Sequence, residues 1–296
     1  MNLNAPRVPG QSRHVGISIS DGSVHAVEVN GRGRSTTVSA RAACSLPAGV
    51  VVHGAVRDAN AFASVLNDLW ETGGIRSRSV IVGVGPNESF VRAIEIPKVR
   101  KRLRDSALEF ELQDMLPFPV SEASVDYRPI QSGGDEDTDG FLVIASHSPS
   151  LRPLMDAFSQ TRMKVHALDV PAFAAVRGIE SLADESANAT DGPRAVVAVG
   201  AELLTVAIHT GGVVRFTRQV QVNAGAAGVS ADALESELST INAHVGSPLG
   251  ATRDSGRDPI VDAVRTTIEF EGQAARTAPV AGIDVFGSGP VANSLY

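Results

Sequence analysis

The stretch HVGISISDGSVHAVEVN, residues 14–30, decides the fold of this chain. Apolar residues alternate with polar ones on both sides of a polar turn at Ser20–Gly22. Short β-branched runs around an Asp-Gly pair are typical of a β-hairpin. A third strand is predicted over residues 35–43, after a glycine-rich turn at 31–33. The chain therefore opens with a run of three predicted strands.

The pattern that follows predicts a two-domain α/β protein. A helix capped by Asp58 is expected to end at Gly73–Gly74, and the apolar run SVIVGV at 79–84 is typical of a strand in a parallel sheet. Three strands followed by helices recur from residue 194, after the small, polar segment DESANATDGP at 184–193. Such a segment is typical of a linker. The repeat predicts two similar α/β domains.

Composition limits the classes of function open to the chain. Its 296 residues suffice for two domains. Its net charge of -7 lacks the basic character that is typical of nucleic-acid-binding proteins. Cys44, the only cysteine, excludes an intrachain disulfide and a zinc site of several cysteines. No apolar run approaches the roughly 18–20 residues that cross a bilayer, and residues 1–13 do not resemble a secretory signal. We expect a cytoplasmic protein that a partner holds at the membrane.

Three turns rich in Gly and Ser are candidate phosphate sites. Backbone N–H groups in such turns can point at phosphate oxygens. The candidate residues are Ser18, Ser20, Asp21, Gly22, Ser23, Gly200, Ala201, Gly287, Ser288 and Gly289. Each turn alone is more often an ordinary hairpin, so the order and spacing of the three carry the argument.

Four segments resemble, in order, those of the PilM family of actin-like type IV pilus assembly proteins. The opening hairpin resembles that family's VGIDIGSSSVKAVEL. Residues 109–130, EFELQDMLPFPVSEASVDYRPI, resemble its helix ending in Y-I-P-F-P and the D-Y strand after it. Phe216 and Arg218 match the F-x-R of the second phosphate hairpin, and IDVFGSGP at 283–290 resembles the adenosine-side strand and turn. The most specific matches are Leu116, Pro117, Phe118, Pro119, Asp126 and Tyr127.

The resemblance implies an actin-like (ribonuclease H-like) two-domain α/β fold with an inserted small α+β subdomain. Residues 1–13 would form a flexible N-terminus and residues 14–183 the first actin-like domain, with the inserted subdomain at about 86–164. The linker at 184–193 would lead into a C-terminally shortened second domain at 194–296.

The chain departs from the family where the family holds Mg-ATP. The Asp of the first hairpin is Ser18, the family Lys is His25, and the Asp of the second hairpin is Ala198. Mg²⁺ is usually held by one or two carboxylates, and phosphoryl transfer depends on it. The two losses predict no catalytic residue, no metal site, no cofactor and little or no ATP hydrolysis. Asp21 and Glu202 are weaker substitute anchors.

The losses predict a pseudo-ATPase, a chain with an ATPase-like fold that hydrolyses little or no ATP. Two other functions stay open beside this one. In one, Ser18, Ser20, Ser23 and Gly200 still bind ATP and Mg without turnover. In the other, the chain resembles the cytoplasmic domain of the type II secretion protein GspL. That alternative is weakened because no transmembrane helix follows in this sequence.

The resemblance also implies a partner. In the PilM family the short cytoplasmic tail of the membrane protein PilN docks beside the inserted subdomain. The chain is therefore expected to bind an extended peptide from a PilN-like inner-membrane protein, through apolar pockets and main-chain hydrogen bonds. Pilus assembly motor components and a second copy of the chain are further expected partners, while nucleic acid is not, and the membrane is reached only through the partner.

One basic run stands out in an otherwise acidic chain. KVRKRLR at 98–104 carries five basic residues at the start of a helix predicted over about 99–116, whose buried stripe includes Leu108 and Leu112. A solvated helix face explains such a run in most proteins. The sharper hypothesis is contact with anionic lipid headgroups or with an acidic partner.

Overall fold

The chain divides into two compact units between Pro171 and Ala172. The computed structural model describes residues 13–20, 22–31, 36–85, 89–130, 137–182, 192–199, 203–221, 264, 266 and 280–287. The strands of the first unit are β1 (Arg13–Ile19), β2 (Ser23–Asn30), β3 (Thr37–Ser45), β4 (Val51–Val52), β5 (Ala55–Val56), β6 (Ser79–Gly83), β7 (Ser89–Pro97), β8 (Ala123–Ile130), β9 (Thr138–His147) and β10 (Lys164–Asp169). Its helices are α1 (Ala59–Gly73), α2 (Arg104–Leu112) and α3 (Ser148–Ser159).

A five-stranded mixed sheet in the order β10-β6-β1-β2-β3 forms the centre of the first unit. The predicted hairpin is confirmed: β1 pairs antiparallel with β2, and β2 with β3. β1 also runs parallel to β6, and β6 runs parallel to β10. The carboxyl ends of β1, β6 and β10 therefore meet at one edge of this sheet, the edge at which open α/β sheets bind their ligands.

Helix α1 covers the apolar face of this sheet. Asp58 caps it as predicted, with its carboxylate accepting from the N–H groups of Asn60 and Ala61 at 3.0 Å each. Gly74 ends the helix in a left-handed conformation, φ 65°, which glycine adopts without strain. The buried side of the helix packs with strand residues into one core that includes Val15, Ile17, Phe62, Leu66, Leu69, Trp70, Val80 and Val82.

A second, antiparallel sheet in the order β7-β9-β8 forms a separate layer with α2. Its small core contains Ile94, Ile96, Leu108, Leu112, Phe141 and Val143. Leu108 and Leu112 are thus buried as predicted. The limits of the inserted subdomain stay a prediction, because the separate sheet does not by itself define a domain.

Helix α2 is shorter than the helix predicted over 99–116. Arg100 is extended, with φ -59° and ψ 142°, and a single 3-10 turn, Lys101–Leu103, comes before the helix. At the other end, the N–H of Gln113 bonds to the carbonyl of Phe110 at 3.3 Å, a spacing that tightens the last turn. A proline disfavours the helical conformation of the residue before it, so Pro117 keeps the helix from continuing.

The second unit repeats the plan of the first. It contains α4 (Pro171–Leu182), whose first residue belongs to the first unit, followed by β11 (Arg194–Val199), β12 (Leu203–Thr210), β13 (Val213–Gln221) and β14 (Gly282–Gly287). The sheet order is β13-β12-β11-β14, with β11 antiparallel to β12 and parallel to β14. The same relations join β3, β2, β1 and β6, so the strand repeat predicted from residue 194 is confirmed.

Other predictions for the second unit fall largely outside the described residues. Of the predicted linker at 184–193, only Gly192 and Pro193 are described. Of the helices predicted to follow the strands of this second repeat, the structure describes only Val264 and Thr266, which are helical. No described helix is both long and apolar enough to span a membrane.

Candidate functional site

The first candidate turn, between β1 and β2, is held by its own serines. The Ser20 amide and hydroxyl both donate to the Ser23 carbonyl, at 2.9 and 3.0 Å, and the two hydroxyl oxygens lie 3.0 Å apart. The Ser23 hydroxyl lies 3.0 Å from Nε2 of His25. These hydroxyls are engaged with one another, which leaves them less available to a phosphate. Gly22 accepts from the Leu46 amide at 3.0 Å.

Two further candidate residues, Ser18 and Asp21, come from the same stretch of sequence. Ser18, where the family carries an Asp, is exposed near the end of β1 and pairs across the hairpin with His25. Asp21, proposed as a substitute carboxylate, lies outside the described residues. The structure therefore leaves Asp21 untested.

The sheet edge beyond Ser18 carries a carboxylate that sequence reasoning missed. Ile17 pairs with Val82 in the parallel sheet, and Asp169 pairs with Gly83. Ser18 and Asp169 thus lie at the same level, two strands apart, a separation of about 10 Å from the usual strand spacing. A sequence signal was present, because Asp169 follows the alternating stretch KVHAL at 164–168, and parallel strands gather their carboxyl ends at one edge. Asp169 is a candidate oxygen ligand near the first turn.

Gly287 is the one candidate residue of the last two turns that the structure describes. It is the last residue of β14 and pairs with Val199, the last residue of β11. Gly200, Ala201, Glu202, Ser288 and Gly289 lie outside the described residues. A phosphate-binding role for any of these residues stays a prediction.

Ala198 lies near the end of β11, an inner strand of the second sheet. It pairs with Thr205 on one side and with Phe286 on the other. Thr205 is buried, and its hydroxyl accepts from Nε2 of Gln219 at 3.3 Å. Since alanine has no polar side-chain atom, this position has nothing with which to orient a metal or its water. Among the described residues there is also no cluster of three or more His, Cys, Asp or Glu side chains that could hold a metal ion.

The matched F-x-R residues lie on β13. Phe216 pairs with Ile208, and Arg218 pairs with Val206. Both are therefore sheet residues of the second unit, as the resemblance implied for the strand that follows the second hairpin.

A buried histidine of the second unit was not anticipated. His209 is 1% exposed, and its Nδ1 accepts from the Gly212 amide at 3.3 Å and lies 3.5 Å from a Glu180 carboxylate oxygen. Its Nε2 has no hydrogen-bond partner among the described residues. Burial lowers the pKa of His209 below its ordinary value, and the Glu180 carboxylate opposes that shift only in part. The lowered pKa favours the neutral imidazole.

The P-F-P segment is joined to the core of the first unit through one histidine. Phe118 stacks on His147 with ring centroids 5.0 Å apart. His147 Nδ1 lies 2.6 Å from the Ser150 hydroxyl, and its Nε2 lies 3.0 Å from a Glu122 oxygen. Because His147 immediately precedes α3, this contact fixes the segment relative to a helix of the main core.

The D-Y strand is joined to α2 by a second contact. The Tyr127 hydroxyl donates to Asp105 at 2.5 Å, and the Tyr127 ring packs edge-on against Phe141 at 5.5 Å. Arg104 lies over the Phe141 ring at 5.0 Å and 3.8 Å from Asp139. The hydrogen bond that Tyr127 donates to Asp105 raises the pKa of Tyr127, and partial burial raises it further. The matched aromatic residues of this segment thus hold the small sheet, α2 and α3 in a fixed arrangement.

Comparison with known proteins identifies what the chain is similar to. A family model described as type IV pilus assembly protein PilM matches residues 16–227. No curated protein matches the chain.

Among solved structures, a PilM-PilN type IV pilus biogenesis complex matches with a TM-score of 0.66 and 22% identity, over 95% of this chain and 82% of that one. The cytoplasmic domain of EpsL, an inner-membrane component of the type II secretion system of Vibrio cholerae, matches with a TM-score of 0.47 and 12% identity, over 82% and 79%. The ethanolamine utilization protein EutJ from Carboxydothermus hydrogenoformans matches with a TM-score of 0.44 and 13% identity, over 95% and 78%. The match to the PilM-PilN complex confirms the predicted PilM-like α/β fold.

Proposed function

Because the chain belongs to the family of type IV pilus assembly proteins PilM, we propose that it is a cytoplasmic scaffold of a type IV pilus or related assembly machine. It binds the cytoplasmic tail of a PilN-like protein and so lies at the inner face of the cytoplasmic membrane. It hydrolyses little or no ATP. The family match favours the pilus machine over a type II secretion system.

The absence of fast ATP hydrolysis is supported by Ser18 and Ala198. Each stands where the family carries an Asp, and neither side chain can replace a carboxylate as a magnesium anchor. The first turn adds to this, because the Ser20 and Ser23 hydroxyls already bond to each other and to a carbonyl. Without a positioned metal, the charge that develops on the transferred phosphoryl group is left unstabilised.

The peptide-binding part of the proposal is supported by the small sheet. β7 and β8 are its two edges within the described residues, and an extended peptide can add to such an edge through main-chain hydrogen bonds. β8 carries Pro129, which lacks an N–H donor, while β7 has no proline before its last residue, Pro97. We therefore place the tail beside β7. The contacts of Phe118 with His147 and of Tyr127 with Asp105 and Phe141 would keep the small sheet rigid, which lowers the entropic cost of binding.

Calorimetric titration of the full chain tests both parts. A synthetic peptide of the N-terminal cytoplasmic tail of the PilN-like protein should bind, a scrambled peptide should not, and Mg-ATP should give no heat of binding in the same buffer. Micromolar binding of Mg-ATP would reject a purely scaffolding role. Absence of binding by the tail peptide, with the protein folded by circular dichroism, would reject the proposed partner.

Nucleotide binding without turnover remains the second candidate, and Asp169 is the observation that favours it. Its carboxylate belongs to the same sheet edge as the first turn, so it could anchor Mg²⁺ from an unexpected strand. If Mg-ATP does bind, Asp169→Asn should weaken that binding about tenfold, as expected for loss of a single charged ligand. Unchanged affinity in Asp169→Asn would show that the nucleotide is held elsewhere.

A further inference from the structure

Five exposed cations gather at one edge of the five-stranded sheet. They come from three separate stretches of the chain and are Arg13, Arg76, Arg78, Arg162 and Lys164. This is the edge at which the parallel strands β1, β6 and β10 begin, opposite the edge that holds the first candidate turn. No single run of sequence predicts the cluster, because strand pairing is what brings its members together.

Main-chain pairing determines how close these residues lie. The Lys164 amide donates to the Arg78 carbonyl at 2.7 Å. Arg13 and Arg78 each come two residues before a paired valine, Val15 or Val80. Arg13, Arg78 and Lys164 therefore lie at the starts of three neighbouring strands. Since neighbouring strands are about 4.8 Å apart, the backbones of these three residues lie within roughly 10 Å of one another.

Carboxylates do not neutralise these cations within the described residues. All five side chains are exposed, and in that part of the chain none of them forms an ion pair or a side-chain hydrogen bond. Glu28, which is buried beside Arg76, already accepts from the backbone amides of Arg76 and Ser77 at 3.1 and 3.2 Å. Like charges at this spacing repel each other. An anionic surface placed against the edge would relieve that repulsion.

The carboxyl ends of two helices lie at the same edge. α1 ends three residues before Arg76, and α3 ends three residues before Arg162. The partial negative charge at a helix C-terminus lowers the repulsion among the cations without pairing any of them. The exposed carboxylates of Glu71 and Asp156 lie back on these helices rather than at the strand starts. The fold thus tolerates the cluster and leaves its charges exposed.

The basic run KVRKRLR, singled out in the sequence, has acidic neighbours. Arg104 lies over the Phe141 ring and 3.8 Å from Asp139. The Lys98 amide donates to the Asp137 carbonyl at 2.9 Å. Two acidic residues therefore lie beside that run, and both weaken its attraction for an anionic surface. The sheet edge is the stronger candidate for such a contact.

We propose that this edge of the sheet docks on the anionic headgroups of a lipid bilayer. The chain carries a net charge of -7, so an anionic bilayer repels most of its surface and favours an orientation that presents the five cations. Each Lys or Arg near such a bilayer strengthens binding about fivefold. The contact goes beyond the proposed function, because it holds the chain to the membrane directly, beside the attachment through the PilN-like tail.

Sedimentation of the full chain with vesicles tests the proposal without the PilN-like protein. Vesicles of phosphatidylglycerol and phosphatidylcholine should pellet the wild type, vesicles of phosphatidylcholine alone should not, and added salt should weaken the binding. Arg76→Gln/Arg78→Gln should lower the binding about twentyfold or more. Arg162→Gln/Lys164→Gln, on a different stretch of chain, should cause a similar loss. A wild type that stays in the supernatant with the anionic vesicles overturns the proposal.

Two control variants separate the sheet edge from net charge and from folding. Arg100→Gln/Arg102→Gln removes two exposed cations from the basic run and should change the binding by less than about threefold, because cations away from the contact are screened by salt. A loss equal to that of Arg76→Gln/Arg78→Gln would show that net charge governs binding, and would overturn the proposal. Arg76→Lys/Arg78→Lys keeps both charges and should keep the binding, so a loss in that variant would contradict a contact made by charge.

A soluble polyanion separates a lipid surface from an acidic protein partner. Binding of poly-glutamate by a chain that the anionic vesicles do not pellet would overturn the proposal in favour of an acidic partner. Titration of the PilN-like tail peptide reports on the proposed function separately, and Arg76→Gln/Arg78→Gln should bind that peptide as the wild type does. If the wild type fails to bind the peptide, the vesicle result still stands, so the two failures are distinguishable.

Discussion

Ser18 and Ala198 occupy equivalent positions in the two sheets of this chain. Each is the residue before the last of the first strand, β1 or β11, and each pairs with a residue seven positions later, His25 or Thr205. The resemblance to the PilM family implies a magnesium-orienting aspartate at both positions. The two sheets thus have serine and alanine, which carry no negative charge, at matching places.

Restoring both carboxylates should restore metal-dependent nucleotide binding. In Ser18→Asp/Ala198→Asp we expect Mg-ATP affinity to rise at least about tenfold over the wild type, because the resemblance implies an aspartate at each position and Mg²⁺ prefers carboxylate oxygens. Calorimetric titration in Mg²⁺ and in EDTA measures the effect. Asn at the same two positions is the control, since it has the same shape without the charge. Equal affinity of the Asp and Asn variants would show that these positions no longer face a nucleotide.

The Tyr127 hydroxyl should lose its proton at a higher pH than an ordinary tyrosine, and it should stabilise the fold below that pH. The bond to Asp105 raises the pKa of Tyr127 above the ordinary 10.0, so its stabilising contribution is complete at lower pH and is lost as pH rises through the folded-state value. Tyr127 and Tyr296 are the only two tyrosines. Absorbance of tyrosinate should therefore rise in two steps, and Tyr127→Phe should remove the later one.

The same titration has a control in the partner residue. Asp105→Asn removes the negative charge that disfavours tyrosinate, so the later step should move toward the ordinary tyrosine value. If the later step is unchanged in Asp105→Asn, the bond between Tyr127 and Asp105 is not the cause of the shift.

The fold was largely predictable because its signals are local. The hairpin at 14–30, the Asp58 cap and the stop at Gly74 depend on residues close in sequence, and all three are confirmed. The late start and the early end of α2 were missed, since the start depends on the extended Arg100 and the end on a tightened last turn. Sequence periodicity does not distinguish a helix residue from an adjoining turn residue when both follow the same apolar spacing.

The candidate site was less predictable because its geometry is non-local. Asp169 enters the edge near Ser18 only through the pairing of β10 with β6 and of β6 with β1. Likewise, the engagement of the Ser20 and Ser23 hydroxyls with each other depends on turn conformation. Residue type alone predicted the lack of a carboxylate at Ser18 and Ala198, whereas strand order was needed to place Asp169 near Ser18.

Glu28 should be one of the most stabilising acidic residues of the first unit. It is buried on β2, and its two carboxylate oxygens accept from the backbone amides of Arg76 and Ser77 at 3.1 and 3.2 Å. Glu28→Ala leaves both amides without this acceptor and should lower the free energy of unfolding by about 2–4 kcal/mol. Urea denaturation measures the loss. Glu71→Ala, an exposed residue of α1, should change it by less than about 0.5 kcal/mol, and equal losses in the two variants would contradict the assigned role.

His209 should make the second unit sensitive to acid. Its folded-state pKa lies below the ordinary 6.5 because the ring is buried, so the unfolded chain takes up the proton first as pH falls. The free energy of unfolding is then fully retained above pH 6.5 and decreases below it, until the folded-state pKa is reached. His209→Gln should reduce that decrease by up to about 1.4 kcal/mol per pH unit, as measured by urea denaturation between neutral and mildly acidic pH. Glu180→Gln should act in the opposite direction, because it removes the carboxylate that partly supports the protonated ring. If the free energy of unfolding falls with pH by the same amount in the wild type and in His209→Gln, then the pKa of His209 does not differ between the folded and the unfolded chain.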